Sequence, residues 1–534
     1  MRPARNHLDE PPCAGGARQE MHMRTTTAAP LLLLLSAWAT GCGTSPSVVD
    51  PGVAPCEGTS CEGEPPPESV CREHVAADII DEGCGVFVAG NFGGGDDRNP
   101  GTKAKPVYTI ERAIQLARTG RGRIFICNDG FIMDPITVPV GVDLLGGFDC
   151  RKWGRDPRRP RSELQTTALV IAPLVTIGPA GPEDSGAADG VSTLADLEVY
   201  SWGPLGILVH SNTAVEIVRS EIYPSGSLSG SDGEPWPSIQ PDGPDGMFGG
   251  DACSATRVAG GPAVVNRCES GLTSVGGKGG DGMPDSAEGG GDGEPASERE
   301  PSPSGVGGDA EDIRDCASGS DGGPGLPGTQ GAPGEGIGRL TETGWKGDTG
   351  AEGSWGTPGQ GGGGGGGARG GLAVCGAASK GGAGGGSGGA GGCGGRGGRG
   401  GQNGHATIGV LALHARVTVR DSLIKTPYGG QGGNGGEPQD GGRGGRGAPG
   451  GALGNGFQSC LGGRGGQGGP GGYGGPGRGG DSIGIAYLDE DQLTLERVIF
   501  EIGPPGPGGM SWNHDGTTTM GPSGESHETL RFPE

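Results

Sequence analysis

Three stretches of the chain repeat one alternation of hydrophobic and polar positions. Each has a glycine, a short apolar strand, a polar corner, an alternating strand, a charged corner and a final apolar pair; they cover residues 206–222, 409–424 and 484–500. Every second side chain of an alternating strand faces one side of the sheet. The positions predicted to face inward include Val417, Val419, Leu493 and Leu495. A unit of about twenty residues cannot bury its inward face alone, so the units are expected to stack.

Segments closer to the N-terminus continue this pattern. Strands are predicted within 131–146, 168–177 and 194–200. Within 109–118, apolar residues fall at helical spacing, which predicts a short helix that covers the open end of the stack. The pattern therefore predicts an all-β fold, a parallel β-helix (solenoid) with a short N-terminal capping helix and long Gly-rich insertions.

The amino-acid composition limits what the rest of the chain can form. Of 534 residues, 127 are Gly and 44 are Pro, and only 31% are hydrophobic. One compact core cannot extend over so long a chain with so little apolar material. Collagen is excluded because Gly does not recur at every third position throughout. The formal charge of -24 argues against a nucleic-acid partner, because phosphate contacts need a basic face.

The first residues are typical of an export signal. A basic residue and an apolar run over 28–39 lead to Cys42. The run is too short to span a bilayer and predicts a signal peptide over 1–41. The residues before Cys42 resemble the bacterial lipobox, although Ala39 stands where that pattern prefers Leu. Cys42 is therefore the expected lipidation site, with an ordinary secretory cut as the alternative, and the protein is expected to be exported and lipid-anchored at the outer membrane or cell surface.

Cysteine usage agrees with export. Of 14 Cys, one lies before the expected cut and Cys42 carries the lipid, which leaves an even number that could form disulfides in an oxidising compartment. Local pairing is expected among Cys56, Cys61, Cys71 and Cys84. A further even set is spread through the Gly-rich segments, namely Cys253, Cys268, Cys316, Cys375, Cys393 and Cys460.

Composition also divides the chain into segments. A Pro-rich stretch after the lipid site is typical of a solvated tether. Translation is expected to start at Met21 or Met23, so that residues 1–20 would not belong to the natural protein. The predicted segments are a signal peptide (1–41), a lipid-anchored linker (42–83), the first part of the β-helix (84–224), a Gly-rich insert (225–404), a β-helix coil (405–427), a second Gly-rich insert (428–480), the last coil (481–503) and a disordered tail (504–534).

Residues 84–223 resemble the N-terminal part of the domain that defines a bacterial β-helix family. The resemblance rests on the run from Asn99 to Ile110, then Ile124–Cys127, then Gly141–Cys150. The domain of that family has no known function, belongs to the pectate-lyase-like superfamily and is frequent in exported lipoproteins. The resemblance implies a right-handed β-helix and a disulfide between Cys127 and Cys150. The Gly-Gly-x runs are similar, in composition only, to the PGRS type of Gly-rich surface protein.

The sequence has few residues that could catalyse a reaction or bind a metal. Pectate-lyase-like folds often cleave acidic polysaccharides with Asp ligands for Ca²⁺ and an Arg or Lys base. Residues that could supply such groups are Asp196, Glu198, Glu216, Arg219 and Glu221, but charged residues are also normal on a solvated strand face. His210 and His414 hold similar places in two repeats, as a metal pair or as exposed corner residues. No catalytic, metal or cofactor-binding residue is assigned, and no cofactor is expected.

The Gly-rich inserts allow two interpretations. Low hydrophobicity favours flexible loops, whereas the three-residue Gly-Gly-x period favours polyproline II helices that bond side by side, at least in part of 360–480. Residues 225–355 hold 22 acidic and 7 basic side chains, and residues 371–480 hold 3 acidic and 10 basic. The inserts could therefore contact each other, the basic one could meet envelope polysaccharide, or both could be solvated.

Two functions follow as hypotheses. The first is a non-catalytic cell-surface lipoprotein that displays Gly-rich inserts for adhesion or for envelope or matrix interaction, with a membrane and an extracellular polysaccharide as partners. The alternative is a polysaccharide-active enzyme of the pectate-lyase-like type. Fold-level analogy cannot decide between them, because it does not supply a site.

Overall fold

The computed structural model describes residues 66–155, 158, 161–166, 171–179, 190–295, 304–310, 316–453 and 458–533. They all belong to one compact unit, Glu64–Glu534. The expected signal peptide, the lipidation site Cys42, and Cys56 and Cys61 lie outside the described residues.

In the described ranges, the regular structure consists of short strands, three α-helices and single turns of 3-10 helix. The helices are α1 (Glu68–Ala76), α2 (Ile110–Arg118) and α3 (Leu372–Cys375). The strands of the first half are β1 (Val86–Val88), β2 (Arg123–Cys127), β3 (Phe131–Met133), β4 (Ile136–Val138), β5 (Asp143–Phe148), β6 (Ser162–Thr166), β7 (Val175–Ile177), β8 (Val191–Ala195), β9 (Leu197–Ser201), β10 (Leu205–Val209), β11 (Ala214–Val218) and β12 (Glu221–Pro224). The later strands are β13 (Val264–Arg267), β14 (Thr273–Gly276), β15 (Arg339–Thr341), β16 (Gly344–Lys346), β17 (Thr407–Ala412), β18 (Arg416–Arg420), β19 (Leu423–Thr426), β20 (Ser482–Tyr487), β21 (Leu493–Glu496), β22 (Ile499–Ile502), β23 (Met510–Trp512), β24 (Thr518–Met520) and β25 (Ser526–Arg531).

Three large parallel sheets hold most of these strands. The first sheet has the order β1-β2-β5-β8-β11-β18-β21, the second β25-β20-β17-β10-β7-β4, and the third β22-β19-β12-β9-β6-β3. The three repeats found in the sequence lie side by side, so that β11 pairs with β18 and β18 with β21. The remaining strands form three two-stranded antiparallel ribbons.

Alternating apolar residues form the core between the sheets. Val417 and Val419 are fully buried, which confirms their predicted inward positions. In the last repeat the prediction holds for Leu493, which is half-buried and packs against the same apolar cluster, and is wrong for Leu495, which is 38% exposed. Leu495 does pair in register with Val419. It is exposed because β21 is the last strand of its sheet, so no further layer covers it.

A short helix lies at the other end of this core. The helix predicted over 109–118 is present as α2, where the Thr109 Oγ1 accepts the backbone N–H of Arg112 at 3.1 Å as an N-terminal cap. Its buried residues are Ile110, Ala113, Ile114 and Ala117. They join the main apolar cluster beside Val86 and Val88 of β1.

The Gly-rich segments are ordered through their backbones. The N–H groups of every third residue from Gly386 to Gly401 donate to every third carbonyl from Cys460 to Gly475, at 2.8 to 3.0 Å. Consecutive residues use different neighbours, since Gly384 donates to Gly250 and Gly385 to Gly280. A period of three residues with three bonding faces is the periodicity of the polyproline II helix. The described Gly-rich segments between 228 and 480, outside 406–427, are called the Gly-rich bundle below.

Glycine is required in this bundle because the backbones touch. A Cβ atom on Gly392 would lie 1.9 Å from the carbonyl oxygen of Gly442, and one on Gly389 would lie 2.2 Å from that of Gly445. Real Cβ contacts do not occur at such distances, so only a residue without a side chain fits. Of the two interpretations of the inserts, the structure has the ordered one.

Acidic side chains accept hydrogen bonds from backbone N–H groups at the edge of the bundle. The Oδ1 atoms of Asp242 and Asp245 accept the backbone N–H groups of Arg443 and Arg446, each at 2.7 Å. These N–H groups would otherwise lack a partner within the protein. The acidic and basic inserts therefore contact each other, through many backbone-to-backbone bonds such as that from the Gly243 N–H to the Arg443 carbonyl, and through these carboxylate-to-backbone bonds at the edge.

The fold class predicted from the sequence is wrong for this chain. The finding that overturns it is a parallel β-rich fold of three large sheets with few helices, in which the Gly-rich segments do not project as insertions from a solenoid. They pack as a second ordered region with its own backbone hydrogen bonds. The physical reason is that glycine lets extended backbones approach closely enough to bond on three faces.

The tail predicted to be disordered over 504–534 is also different in the structure. It contains β23, β24 and β25, and β25 adds to the second sheet by pairing with β20. Phe532 follows β25 and is 1% exposed in an apolar cluster with Ile483 and Ala486. Strand pairing and this buried aromatic side chain hold a segment that has no hydrophobic periodicity.

Candidate functional site

A wide cleft lies over the outward face of the first sheet. It has a volume of about 1390 Å³ and is bounded by α1 and by residues of β2, β5, β8, β11 and β18. The Cys71–Cys84 disulfide ties α1 to the segment that leads into β1. Small residues, Gly141 and Gly190, line part of it and leave room that side chains would otherwise fill. We call this the charged cleft.

One end of the charged cleft is built around Arg123. This side chain is 6% exposed and forms an ion pair with Glu68 of α1, while its Nε lies 3.6 Å from the Asp143 carboxylate. The hydrogen bond from Arg123 holds the pKa of Glu68 at about 2, well below its usual range. Burial raises the pKa of Asp143, and the backbone N–H of Thr193, which donates to it at 2.8 Å, only partly opposes that effect.

The other end is built around Asp196. This residue is 6% exposed and accepts hydrogen bonds from Arg155 at 2.7 Å and from Arg219 at 2.6 Å. Arg219 uses both Nε and Nη2, so the pair is bidentate and fixes the orientation of both groups. Glu216 on the neighbouring strand is held by Arg420.

A ladder of left-handed backbone corners runs beside this end. Asp196 has φ 56°, Arg219 φ 48°, Asp421 φ 49° and Arg497 φ 53°. Arg219, Asp421 and Arg497 occupy the charged corners of the three repeats, and Asp196 lies at the corresponding corner between β8 and β9. Opposite charges join them in pairs, Asp196 with Arg219 and Asp421 with Arg497. Non-glycine residues adopt positive φ only where the surroundings enforce it, and here the ion pairs and the corner backbone bonds do so.

The structure separates the five charged residues singled out in the sequence. Asp196, Glu216 and Arg219 line the charged cleft. Glu198 and Glu221 belong to β9 and β12 and line a groove on the third sheet. No set of acid and base groups for one reaction is therefore formed by the five together.

Most of the charged residues that line the cleft were not predicted from the sequence. Glu68, Arg123, Asp143 and Arg155 come from four separate segments, and none of them belongs to a repeated motif. Only the pairing of β2 with β5 and the position of α1 bring them together. No signal in the sequence pattern identifies such a set, because each residue alone is an ordinary surface charge.

The histidine candidates do not form a pair. The His210 Nδ1 contacts the carboxylate of Glu342, and the His414 Nδ1 lies 2.9 Å from the carboxylate of Asp489. Within the described ranges, one group of three potential metal ligands lies within 4.8 Å, namely Cys127, Asp129 and Cys150. Its two sulfur atoms are joined to each other, so they are not available as thiolates.

Ten of the predicted disulfide candidates pair in the structure. The disulfide implied by the family resemblance, Cys127–Cys150, is present, and Cys71 pairs locally with Cys84. The six cysteines of the Gly-rich segments form Cys253–Cys375, Cys268–Cys393 and Cys316–Cys460. The last three each close a loop of more than a hundred residues and fasten distant segments of the Gly-rich bundle to each other.

In the part of the chain that the structure describes, no helix has the length and apolar character needed to cross a membrane.

Comparisons of this chain with protein-family models, with curated proteins and with solved structures found no match.

Proposed function

We propose that this protein is a non-catalytic, exported lipoprotein that displays its Gly-rich bundle at the outer membrane or cell surface and binds envelope or extracellular polysaccharide. The observation that carries the proposal is the construction of the bundle. Three long-range disulfides fasten segments whose buried positions are mostly glycines rather than large apolar side chains. Such bonds persist in an oxidising compartment and are rare in the cytosol.

The charged cleft supports binding over catalysis. Its carboxylates are engaged by arginines: Glu68 and, at 3.6 Å, Asp143 by Arg123, Asp78 by Arg155, Asp196 by Arg155 and Arg219, and Glu216 by Arg420. A general base needs a carboxylate that is free to take a proton near neutral pH. Paired groups of this kind are better suited to hold hydroxyl and charged groups of a polymer.

Two experiments test this proposal. Intact mass of the mature protein should show acylated Cys42 at its N-terminus, and Cys42→Ala should release the protein from membranes. A glycan array with the oxidised full-length protein should show polysaccharide binding. A soluble wild-type protein, or an array without any bound glycan, would contradict the respective half of the proposal.

One observation favours a second candidate, a polysaccharide-active enzyme. Burial raises the pKa of the Asp143 carboxyl, which is the change that a general acid requires. Degradation of acidic polysaccharides by the purified protein, with and without Ca²⁺, tests this function. The activity should be lost in Asp143→Asn and kept in Asp149→Asn, a change in an aspartate that does not line the cleft.

A further inference from the structure

The outward face of the third sheet carries a row of aromatic rings. Tyr200 of β9 and Tyr223 of β12 are partners in register, with ring centroids 5.0 Å apart. Trp202 follows β9 and lies 5.6 Å from the Tyr200 ring. None of the three belongs to an apolar core cluster, and Trp202 is 45% exposed.

The exposed tryptophan at the end of this row is held in place. Its backbone N–H donates to the Thr166 Oγ1 at 2.9 Å. The Gln165 side-chain amide has hydrogen-bond partners for both its nitrogen and its oxygen in one of its two orientations. In that orientation, the Gln165 Oε1 accepts the Trp202 indole N–H at 2.9 Å. An aromatic ring that is solvent-exposed, held by a hydrogen bond to its indole N–H and carried on a bonded backbone can stack on a ligand with little further loss of side-chain entropy.

A row of carboxylates runs beside the aromatic row. Glu198 of β9 is the register partner of Glu163 on one side and of Glu221 on the other. Adjacent strands are about 4.8 Å apart, so these like charges face each other at close range. Burial, followed by repulsion from Glu221 and Glu163, raises the pKa of Glu198.

The positive charges of this face leave Glu198 without an ion pair. Lys425 Nζ lies 2.8 Å from Glu221 and 3.6 Å from Glu501, and Arg161 lies 3.3 Å from Glu221. Among the residues that the structure describes, Glu198 has no cationic partner within ion-pair distance. The face therefore has an unbalanced carboxylate next to aromatic rings.

An open groove connects these groups. It has a volume of about 670 Å³, within the usual range for ligand sites, and Trp202 extends its aromatic row. We call it the aromatic groove; its lining includes Glu198, Tyr200, Glu221, Tyr223, Lys425 and Glu501. The rings offer apolar faces with polar edges, which suit the C–H face and the hydroxyls of a sugar ring.

We propose that the aromatic groove binds a polysaccharide that carries free amino sugars, with Tyr200, Tyr223 and Trp202 against the sugar rings and Glu198 paired with a sugar ammonium group. This inference rests on the proposed function and names the glycan class and the surface. The excess of carboxylates over cations in the groove disfavours an acidic polysaccharide, and the aromatic row favours a sugar polymer over a simple cation.

Titration of the full-length oxidised protein with three soluble oligosaccharides tests the inference. The probes are a fully deacetylated glucosamine oligomer, its N-acetylated counterpart and an oligogalacturonate, followed by calorimetry. The deacetylated oligomer should bind at least tenfold more tightly than the acetylated one, and the oligogalacturonate should bind most weakly. Oligolysine of matched charge should bind more weakly than the deacetylated sugar.

Variants separate the two parts of the groove. Glu198→Gln should remove the preference for the deacetylated oligomer and leave affinity for the acetylated one unchanged, whereas Tyr223→Ala should weaken both at least tenfold. Trp512→Ala is the matched control, since this tryptophan is 53% exposed and does not line the groove. Circular dichroism of each variant checks that it is folded.

The outcomes are distinct for the two proposals. If glycans bind and neither Glu198→Gln nor Tyr223→Ala changes their affinity, the aromatic groove is not the site and the proposed function stands. Equal affinity for acetylated and deacetylated oligomers, or for oligolysine, overturns the assignment of the ligand class. Absence of binding to any glycan, here and on the array, contradicts both proposals.

Discussion

The sheets and the Gly-rich bundle are held together in opposite ways. Between the sheets, buried apolar side chains such as Leu194 and Ile217 fill the interior, and the hydrophobic effect provides the stability. In the bundle, the buried positions are glycines such as Gly389 and Gly392, and the contacts are made between backbones. Burial alone therefore does not identify a hydrophobic core: both regions are buried, but large apolar side chains fill most of the interior only between the sheets, whereas the bundle buries mostly glycine and a few residues such as Val258 and Val264.

The two regions therefore differ in what damages them. The sheets should be sensitive to loss of side-chain volume, because a cavity remains. The bundle should be sensitive to any added side-chain volume, because carbonyl oxygens occupy the space. Disulfides should also contribute more to the stability of the bundle than to that of the sheets. The bundle buries little apolar area that could offset the conformational entropy lost on folding.

The largest expected effect is in the sheets. Leu194→Ala removes a side chain that is 1% exposed in the main cluster and should lower the free energy of unfolding by about 2–5 kcal/mol. Chemical denaturation measures it. Leu495→Ala is the matched control, because that side chain is 38% exposed and its loss should cost about 1 kcal/mol or less. Equal costs for the two would contradict the burial difference.

The second effect concerns the fastening of the bundle. Replacing Cys268 and Cys393 together with Ser removes a disulfide with a sequence separation of 125 and should destabilise the bundle by about 2–4 kcal/mol. Hydrogen exchange should become faster at Gly389 and Gly392, while amides of β8 stay protected. The control is removal of Cys71–Cys84, which lies outside the bundle and should leave the exchange of its glycines unchanged. Uniform exchange changes after both replacements would mean that the regions are not separate.

A third prediction tests the packing of backbones directly. Gly392→Ala places a Cβ atom 1.9 Å from a carbonyl oxygen and should destabilise the bundle by about 1–3 kcal/mol. Thermal unfolding followed by circular dichroism measures the change. Gly154→Ala is the control, because a Cβ at that position meets no heavy atom within 4 Å. An unchanged melting temperature in Gly392→Ala would contradict the close packing of backbones in the bundle.

The smallest effect is a pH dependence confined to the sheet region. Because the pKa of Glu68 falls from 4.5 to about 2 on folding, its stabilisation is present above about pH 4.5 and is lost as the pH falls towards 2. The side chain is 41% exposed, so solvent screening limits the contribution to about 1 kcal/mol or less. Denaturation at pH 6 and pH 2.5 should show a smaller acid loss in Glu68→Gln than in the wild type. Glu73→Gln, an exposed change on the same helix, should keep the wild-type dependence.

Some features of this protein follow from its sequence by itself. Local periodicity was enough to predict α2 and the inward positions of Val417 and Val419, because helix and strand periods are properties of neighbouring residues. The three repeats also lie side by side, as their shared pattern required. The three-residue glycine period predicted one of the two alternatives for the inserts correctly, but could not choose between them.

Other features were decided only by the tertiary structure. The charged cleft joins Glu68, Arg123 and Asp196 across more than a hundred residues, and the aromatic groove joins Tyr200 to Tyr223 through strand register. The order of the Gly-rich bundle depends on hydrogen bonds between segments that are far apart, such as that from Gly392 to Gly466 beside the carbonyl of Gly442. Glycine has no side chain whose pattern could record its neighbours, so the sequence shows that backbones can approach but the packed structure alone decides which ones do.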